Sequence, residues 1–328
     1  MKKILTMVSF IMAISMGMAQ EKRAIVPPLK ASEPFPESTL SSKRMMVLDA
    51  GPARTEQINY AHDVKYATHS GMDLHLQIIA PSAINGATLP CIIFIPGSAW
   101  MKQNVYNSVF RMAKFTEKGY VVVLVEYRPS SVAPFPAQVQ DAKTAVRYMR
   151  KNAAKYKIDE KNIFVWGDSS GGHTALFVGL TQDMPDLDMP DYNEFSAGVN
   201  ATVDYYGPTD ISQMAYRPST MDHTLPDSPE GLLIGKKNVL ESPAEAGKAN
   251  PIAYIKNGKK VAPILIMHGS KDRLVPFEQS VLLADALDSH HYTYEFYKLP
   301  GADHGSFEFW TEKTFDTVDA FLKENMAK

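Results

Sequence analysis

The chain has 328 residues, 45% of them hydrophobic. That is long and apolar enough for a sizeable buried core, and too apolar for a disordered tail. Its 34 Lys and Arg against 36 Asp and Glu leave a net charge of −2, which gives no reason to expect a nucleic-acid partner. A lone cysteine, Cys91, excludes a disulfide framework within the chain and any cysteine-built metal site.

Met1-Lys2-Lys3 is a short basic start, followed by an apolar stretch through Met18 that is shorter than a membrane span. Gly17 and Ala19 place small residues at an A-x-A-like cleavage site, so residues 1–19 read as a signal peptide. The expectation is an exported protein, periplasmic or extracellular. No cysteine lies near the cleavage point, so no lipid anchor to a membrane is expected. Residues 20–58 read as a proline-rich arm, with Pro27, Pro28, Pro34 and Pro36 disfavouring both helix and sheet.

From residue 59 to 328 the pattern is that of one folded domain. Two strands are expected at 63–68 and 73–80, joined by a Ser70-Gly71 turn. Continuous apolar or β-branched runs add six more, at 91–95, 121–125, 163–166, 198–204, 264–267 and 293–299. Unbroken apolar strands imply burial on both faces, and hence a mostly parallel sheet. Val139, Ala142, Val146, Met149, Ala153 and Tyr156 step by three and four, as helices do. So do Phe277, Val281, Ala284 and Leu287, and then Phe307, Trp310, Thr314, Val318 and Phe321. The fold class is therefore α/β, an eight-stranded mostly parallel sheet flanked by helices on both faces. Residues 207–263 are broken by Pro and Gly and weakly periodic, and read as a surface insertion able to cap a site.

The chemistry concentrates after the fifth strand. Gly167-Asp168-Ser169-Ser170-Gly171 matches G-x-S-x-G between a strand and a helix. Such a turn lifts the Ser169 hydroxyl above the sheet and needs glycines where backbones pack closely. A serine nucleophile needs a base and a carboxylate to orient it, in the order Ser, Asp or Glu, His. Asp272 follows the seventh strand and His304 the eighth, both at the edge where open α/β sheets bind ligands. The roles would be Ser169 attacking, His304 carrying the proton and Asp272 fixing its tautomer. Asp303 is a poorer acid because it adjoins His304 in sequence, while Asp204 and Asp210 follow the sixth strand and remain alternatives. His173 and His268 read as packing residues, His290 and His291 as solvent-facing, and His62, His69, His75 and His223 show no partner pattern.

An oxyanion hole needs two backbone N–H groups. Ser170 follows the nucleophile, and the second donor is expected from Pro96-Gly97-Ser98-Ala99-Trp100, after the third strand. With these segments the chain resembles α/β-hydrolase-fold serine esterases, specifically bacterial acetyl-xylan and feruloyl esterases and hormone-sensitive-lipase-like carboxylesterases. The resemblance extends to Tyr127-Arg128-Pro129, Pro134-Phe135-Pro136-Ala137, Asp141-Ala142, Ala249-Asn250-Pro251 and the run from His268 to Pro276. Those families usually carry His-Gly-Gly-Gly-Trp at the oxyanion loop. Here Ser98 and Ala99 replace the glycines, which leaves open which of the two donates. The resemblance implies an ester hydrolase of the α/β-hydrolase fold with no cofactor, acting through an acyl-serine on acetyl or feruloyl esters of plant polysaccharide. It also implies an Arg128–Asp141 structural ion pair, and a substrate pocket in which Trp100 and Tyr206 take part. A prolyl-oligopeptidase-type peptidase shares the order of the three residues, but residues 20–58 cannot hold that family's N-terminal propeller. A non-catalytic binding protein on the same fold is the more distant alternative. No phosphate-binding loop, dinucleotide fingerprint or H-E-x-x-H zinc motif occurs, so no metal is expected. The oligomeric state stays open.

Overall fold

In a computed structural model the described residues are 30, 32, 34, 36–47, 57–82, 86–182 and 184–327. The expected signal peptide lies outside them. The chain divides into two units, Met1–Ala53 and Arg54–Lys328. In the first, the described residues are exposed and form neither helix nor strand. Among the described residues no helix is long and apolar enough to cross a membrane.

The second unit holds eight strands among its described residues: β1 (Ile58–His69), β2 (Met72–Pro81), β3 (Leu89–Ile95), β4 (Val121–Val125), β5 (Ile158–Asp168), β6 (Thr202–Tyr205), β7 (Ile264–Gly269) and β8 (Tyr294–Leu299). They form one sheet in the order β1-β2-β4-β3-β5-β6-β7-β8. β1 and β2 pair antiparallel, β2 joins β4 antiparallel, and β4 through β8 run parallel. Eight helices accompany them: α1 (Val109–Glu117), α2 (Ala137–Lys151), α3 (Ala153–Tyr156), α4 (Ser170–Leu180), α5 (Pro229–Leu233), α6 (Pro243–Lys248), α7 (Glu278–Ser289) and α8 (Glu312–Glu324).

The strand alternation decides which helix covers which face. Cys91, Ile93, Val123 and Val165 point to the side where α2 brings Ala142, Val146 and Met149 and α4 brings Ala175 and Val178. Ile92, Phe94, Val122 and Trp166 point to the other side, against Met112 and Phe115 of α1 and Phe315, Val318 and Phe321 of α8. α4 is buried on every face because it lies across the middle of the sheet. That explains its apolar sequence without a polar stripe.

Several boundaries differ from the sequence reading. β1 begins at Ile58, inside the expected arm, because residues 58–61 pair with β2. β6 begins at Thr202 rather than 198; at Asn200 the backbone N–H donates to the Ile163 carbonyl (2.8 Å), but the return bond from the Ile163 N–H goes to the Asn200 side chain (3.0 Å). The last helix starts at Glu312, not at Phe307. Residues Phe307–Trp310 form a separate 3₁₀ turn, and Thr311 and Thr314 build a capping box behind it. α1 had no counterpart in the expected elements.

The insertion is more than surface. Met214, Leu233, Val239, Ala246 and Ala249 are buried around Trp100 and Val275, giving it a small core of its own. Its periodicity is weak because short turns, α5 and α6 each contribute one or two buried residues rather than a helical stripe.

Candidate active site

β5 ends at Asp168 and α4 begins at Ser170, which leaves Ser169 alone in the turn, at φ 55° and ψ −126°. A side chain at Gly167 would collide with the Gly171 carbonyl, and one at Gly171 with the Ile95 carbonyl. Only glycine fits at both places, so the motif is a steric requirement of the turn. The turn holds Ser169 in a backbone region that L-residues avoid, an outlier of the kind found at functional sites.

The two loops after β7 and β8 bring the other residues to it. His304 Nε2 lies 3.0 Å from Ser169 Oγ, and His304 Nδ1 lies 2.8 Å from Asp272 Oδ2. Asp272 Oδ1 accepts from the N–H groups of Leu274 (2.9 Å) and Val275 (2.8 Å), which turns Oδ2 toward the imidazole. His268 Nε2 stands 3.3 Å from the same oxygen. Burial opposes ionisation of Asp272, but the hydrogen bonds from His268 and His304 outweigh it and hold the carboxyl well below the usual carboxylate range. An anion is thus kept beside the His304 ring, which favours the Nδ1–H tautomer and leaves Nε2 to face the serine.

Of the alternative acids, the structure brings none to the ring. Asp303 instead accepts from the backbone N–H of His304 (2.8 Å) and of Arg273 (3.1 Å), and pairs with the Arg273 guanidinium. It ties the His304 loop to the Asp272 loop. Asp204 is fully buried, and Asp210 caps the turn at Ile211–Tyr216. Burial pushes the Asp204 carboxyl up to about 7.

The oxyanion loop corrects one expectation. The Ser98 N–H donates to Ser170 Oγ (2.9 Å), so it is already occupied. The Gly97 N–H is bound to Asp168 Oδ1 (2.8 Å). The N–H groups of Ala99 and Ser170 meet no acceptor among the described residues. Of the two expected donors in this loop, the Ala99 N–H is the one left without an acceptor, at φ 54°, with Trp100 following at φ 53°. The non-glycine residues do take the left-handed region here. The Ser98 hydroxyl helps hold them, donating to the Met101 carbonyl (2.7 Å) and lying 3.0 Å from the Tyr127 hydroxyl.

Trp100 and Tyr206 part company. Trp100 lines a small pocket next to Ser169 and Ser170, shared with Pro208, Met221 and Leu274. Its Nε1–H donates to His173 Nδ1 (3.1 Å), and His173 Nε2 donates to the Ala249 carbonyl (2.7 Å). Burial brings the His173 imidazole down to about 4, which keeps it neutral and able to accept from Trp100. Tyr206 does not line that pocket. It is buried with its ring 4.7 Å from that of His304, and its hydroxyl reaches Asp168 Oδ2 (3.4 Å). Its contacts support the base rather than a ligand.

All four histidines without an expected partner have an acidic one: His62 Nδ1 lies 3.1 Å from Asp63 Oδ2 and His75 Nδ1 3.0 Å from Glu126 Oε2, while His69 and His223 are buried with theirs. His69 Nδ1 meets Asp141 Oδ1 (2.6 Å), in the same buried cluster as the Arg128–Asp141 pair (2.8 Å). His223 Nδ1 lies 3.1 Å from Glu230 Oε1, and both residues line the pocket beside Ser169. Both partners are distant in sequence or hidden in the insertion, so spacing gave no signal. Among the described residues no group of three or more His, Cys, Asp or Glu is placed to hold a metal ion.

The BD-FAE family, of esterase and feruloyl-esterase-like α/β-hydrolases, matches residues 76–287, more than half of the chain. The chain belongs to that family. The BD-FAE match covers β3 through β7, the oxyanion loop, Ser169 and Asp272, and stops before His304. A truncated carbohydrate esterase from gut microbiota superimposes with a TM-score of 0.74 at 33% identity, over 84% of this chain and 99% of that one. A bifunctional GH43-CE protein of Bacteroides eggerthii gives 0.73 at 31% identity, over 82% of this chain and 38% of that one. Esterase LipQ of Mycobacterium tuberculosis is 28% identical over 226 residues, 68% of this chain and 52% of its own. The chain spans about half the length of the curated relatives it matches first.

Proposed function

We propose that this BD-FAE protein is an exported carboxylic ester hydrolase that removes small acyl groups, acetyl above all, from carbohydrate. One observation carries the reading: the Ser169 hydroxyl faces His304 at 3.0 Å, His304 faces Asp272 at 2.8 Å, and the N–H groups of Ala99 and Ser170, without an acceptor among the described residues, lie beside the serine. In this mechanism His304 Nε2 takes the Ser169 proton as Oγ attacks the ester carbonyl. The tetrahedral oxyanion forms between the N–H groups of Ala99 and Ser170. His304 returns the proton to the leaving alcohol, and an acyl-serine remains. Water, deprotonated by His304, then releases the acid. Asp272 stabilises the imidazolium in both halves.

The preference for small acyl groups follows from the pocket. Its volume is about 40 Å³. One water needs roughly 10–15 Å³ on this measure, so the space suits a group of a few heavy atoms. That size favours an acetyl group over a feruloyl group. Carbohydrate as the alcohol is supported by the esterase relatives named for it. Export is supported by Lys2, Lys3 and the apolar stretch that follows them, ahead of Ala19. The test is turnover of acetylated and feruloylated xylan oligosaccharides, with an anilide of the same acyl group as the amide control. Acetyl release should be fastest, and amide cleavage at a comparable rate would overturn the reading.

A further inference from the structure

The pocket beside Ser169 has one wall that acyl transfer does not use. Glu230 is 3% exposed and His223 2% exposed, both contributed by the insertion. Glu230 Oε1 faces His223 Nδ1 at 3.1 Å. Glu230 Oε2 and His223 Nδ1 are both buried without a hydrogen-bond partner among the described residues. The segments that carry the two residues are tied on their other sides. His223 Nε2 meets Ser219 Oγ at 2.8 Å, and Ser219 Oγ in turn donates to the Leu274 carbonyl (3.0 Å), next to the Asp272 loop. Ser228 Oγ caps the Gly231 N–H (3.0 Å) at the start of α5, which fixes the backbone at Glu230. The carboxylate thus sits in a rigid frame with one oxygen unused.

An orphaned buried acceptor is costly, and native proteins rarely leave one unless a ligand or water completes it. Here Glu230 lines the same cavity as Ser169, Ser170 and Ala99. A carboxyl oxygen without a proton only accepts, and the complement it calls for is a donor. The partner must also be small and lie within a few bonds of the ester. We propose that Glu230 Oε2 accepts a hydrogen bond from a substrate hydroxyl next to the scissile ester, and so selects hydroxyl-bearing esters over plain ones. This rests on the ester-hydrolase reading above and narrows its substrate class. The hydroxyl can come from the alcohol, as the free position beside an acetylated one on a sugar ring, or from a short hydroxyacyl group.

Two substrate pairs separate these sources. The first is an acetylated methyl xylopyranoside with its neighbouring hydroxyl free, against the same ester deoxygenated at that position. The second is a glycolyl against an acetyl ester of one phenol. In the wild-type protein kcat/KM should favour the hydroxyl-bearing member of at least one pair by about 10-fold or more, since a site that hydrogen-bonds a substrate hydroxyl discriminates strongly against the analogue lacking it. The pair that shows the preference names the source. In Glu230→Leu, and to a smaller degree in Glu230→Gln, that ratio should collapse toward one. The ratio is internal to each protein, so partial loss of folded material cancels from it. Wild-type ratios near one in both pairs overturn the proposal without any variant. A preference that survives Glu230→Leu overturns the assignment to Glu230. Hydrolysis of none of the four esters overturns the ester-hydrolase reading, and this proposal with it.

Discussion

The sheet edge and the insertion build opposite sides of one pocket by different means. At the edge, Ser169, Asp272 and His304 sit on short turns directly after β5, β7 and β8, each held by backbone geometry or backbone N–H groups. In the insertion, Trp100's neighbours, His223 and Glu230 are held by side chains packed around Met214, Leu233 and Val239. The edge can therefore stay unchanged while the insertion varies. The contrast suggests that chemistry lives on the first and selectivity on the second.

The comparison can be broken most severely at the nucleophile. Ser169→Ala should lower kcat on a short acetate ester by about 10⁶-fold, the scale at which removal of a serine nucleophile acts. Steady-state kinetics measures it, and retention of most activity would break the assignment. Asp272→Asn should cost about 10⁴-fold in kcat with KM little altered, because the wrong His304 tautomer is then favoured. Equal loss in KM and kcat would show that Asp272 holds the pocket rather than the base.

Changes in the insertion should read out in stability first. Leu233 is fully buried in the insertion's core, and Leu233→Ala should cost roughly 2–5 kcal/mol in denaturant unfolding. An unaltered midpoint would mean that the insertion is not packed as described.

His173 joins the two regions, reaching from α4 to Ala249. Its imidazole falls from the ordinary 6.5 to about 4 because it is buried. Between those values the unfolded chain binds a proton that the folded one refuses. Stability should therefore fall as pH drops below about 6.5 and level off below about 4, by on the order of 3 kcal/mol. In His173→Gln that slope should flatten. Identical pH profiles for the two proteins would remove His173 from the account.

The legible part of the molecule was the part fixed by local rules. Cys91–Ile95 and Val121–Val125 are buried on both faces, so they read as strands without a partner in view. Gly167 and Gly171 announce the turn because no other residue fits beside the Gly171 and Ile95 carbonyls. The order Ser169, Asp272, His304 follows from the same topology. What stayed hidden depends on tertiary contacts. Nothing local says that the Ser98 N–H is taken by Ser170 Oγ, which leaves the Ala99 N–H as the free one of the two. Nothing local says that Tyr206 backs His304, or that His223 finds Glu230. Cys91 is buried at the centre of β3, where burial pushes its thiol up and out of reach of oxidation chemistry.

The central claim is that Ser169 is a nucleophile activated by His304. Reaction of the native protein with a fluorophosphonate, followed by peptide mass spectrometry, tests it most directly. The account predicts one adduct per chain, on Ser169, and none in Ser169→Ala. No adduct on the wild-type protein, or one on another residue, would contradict it.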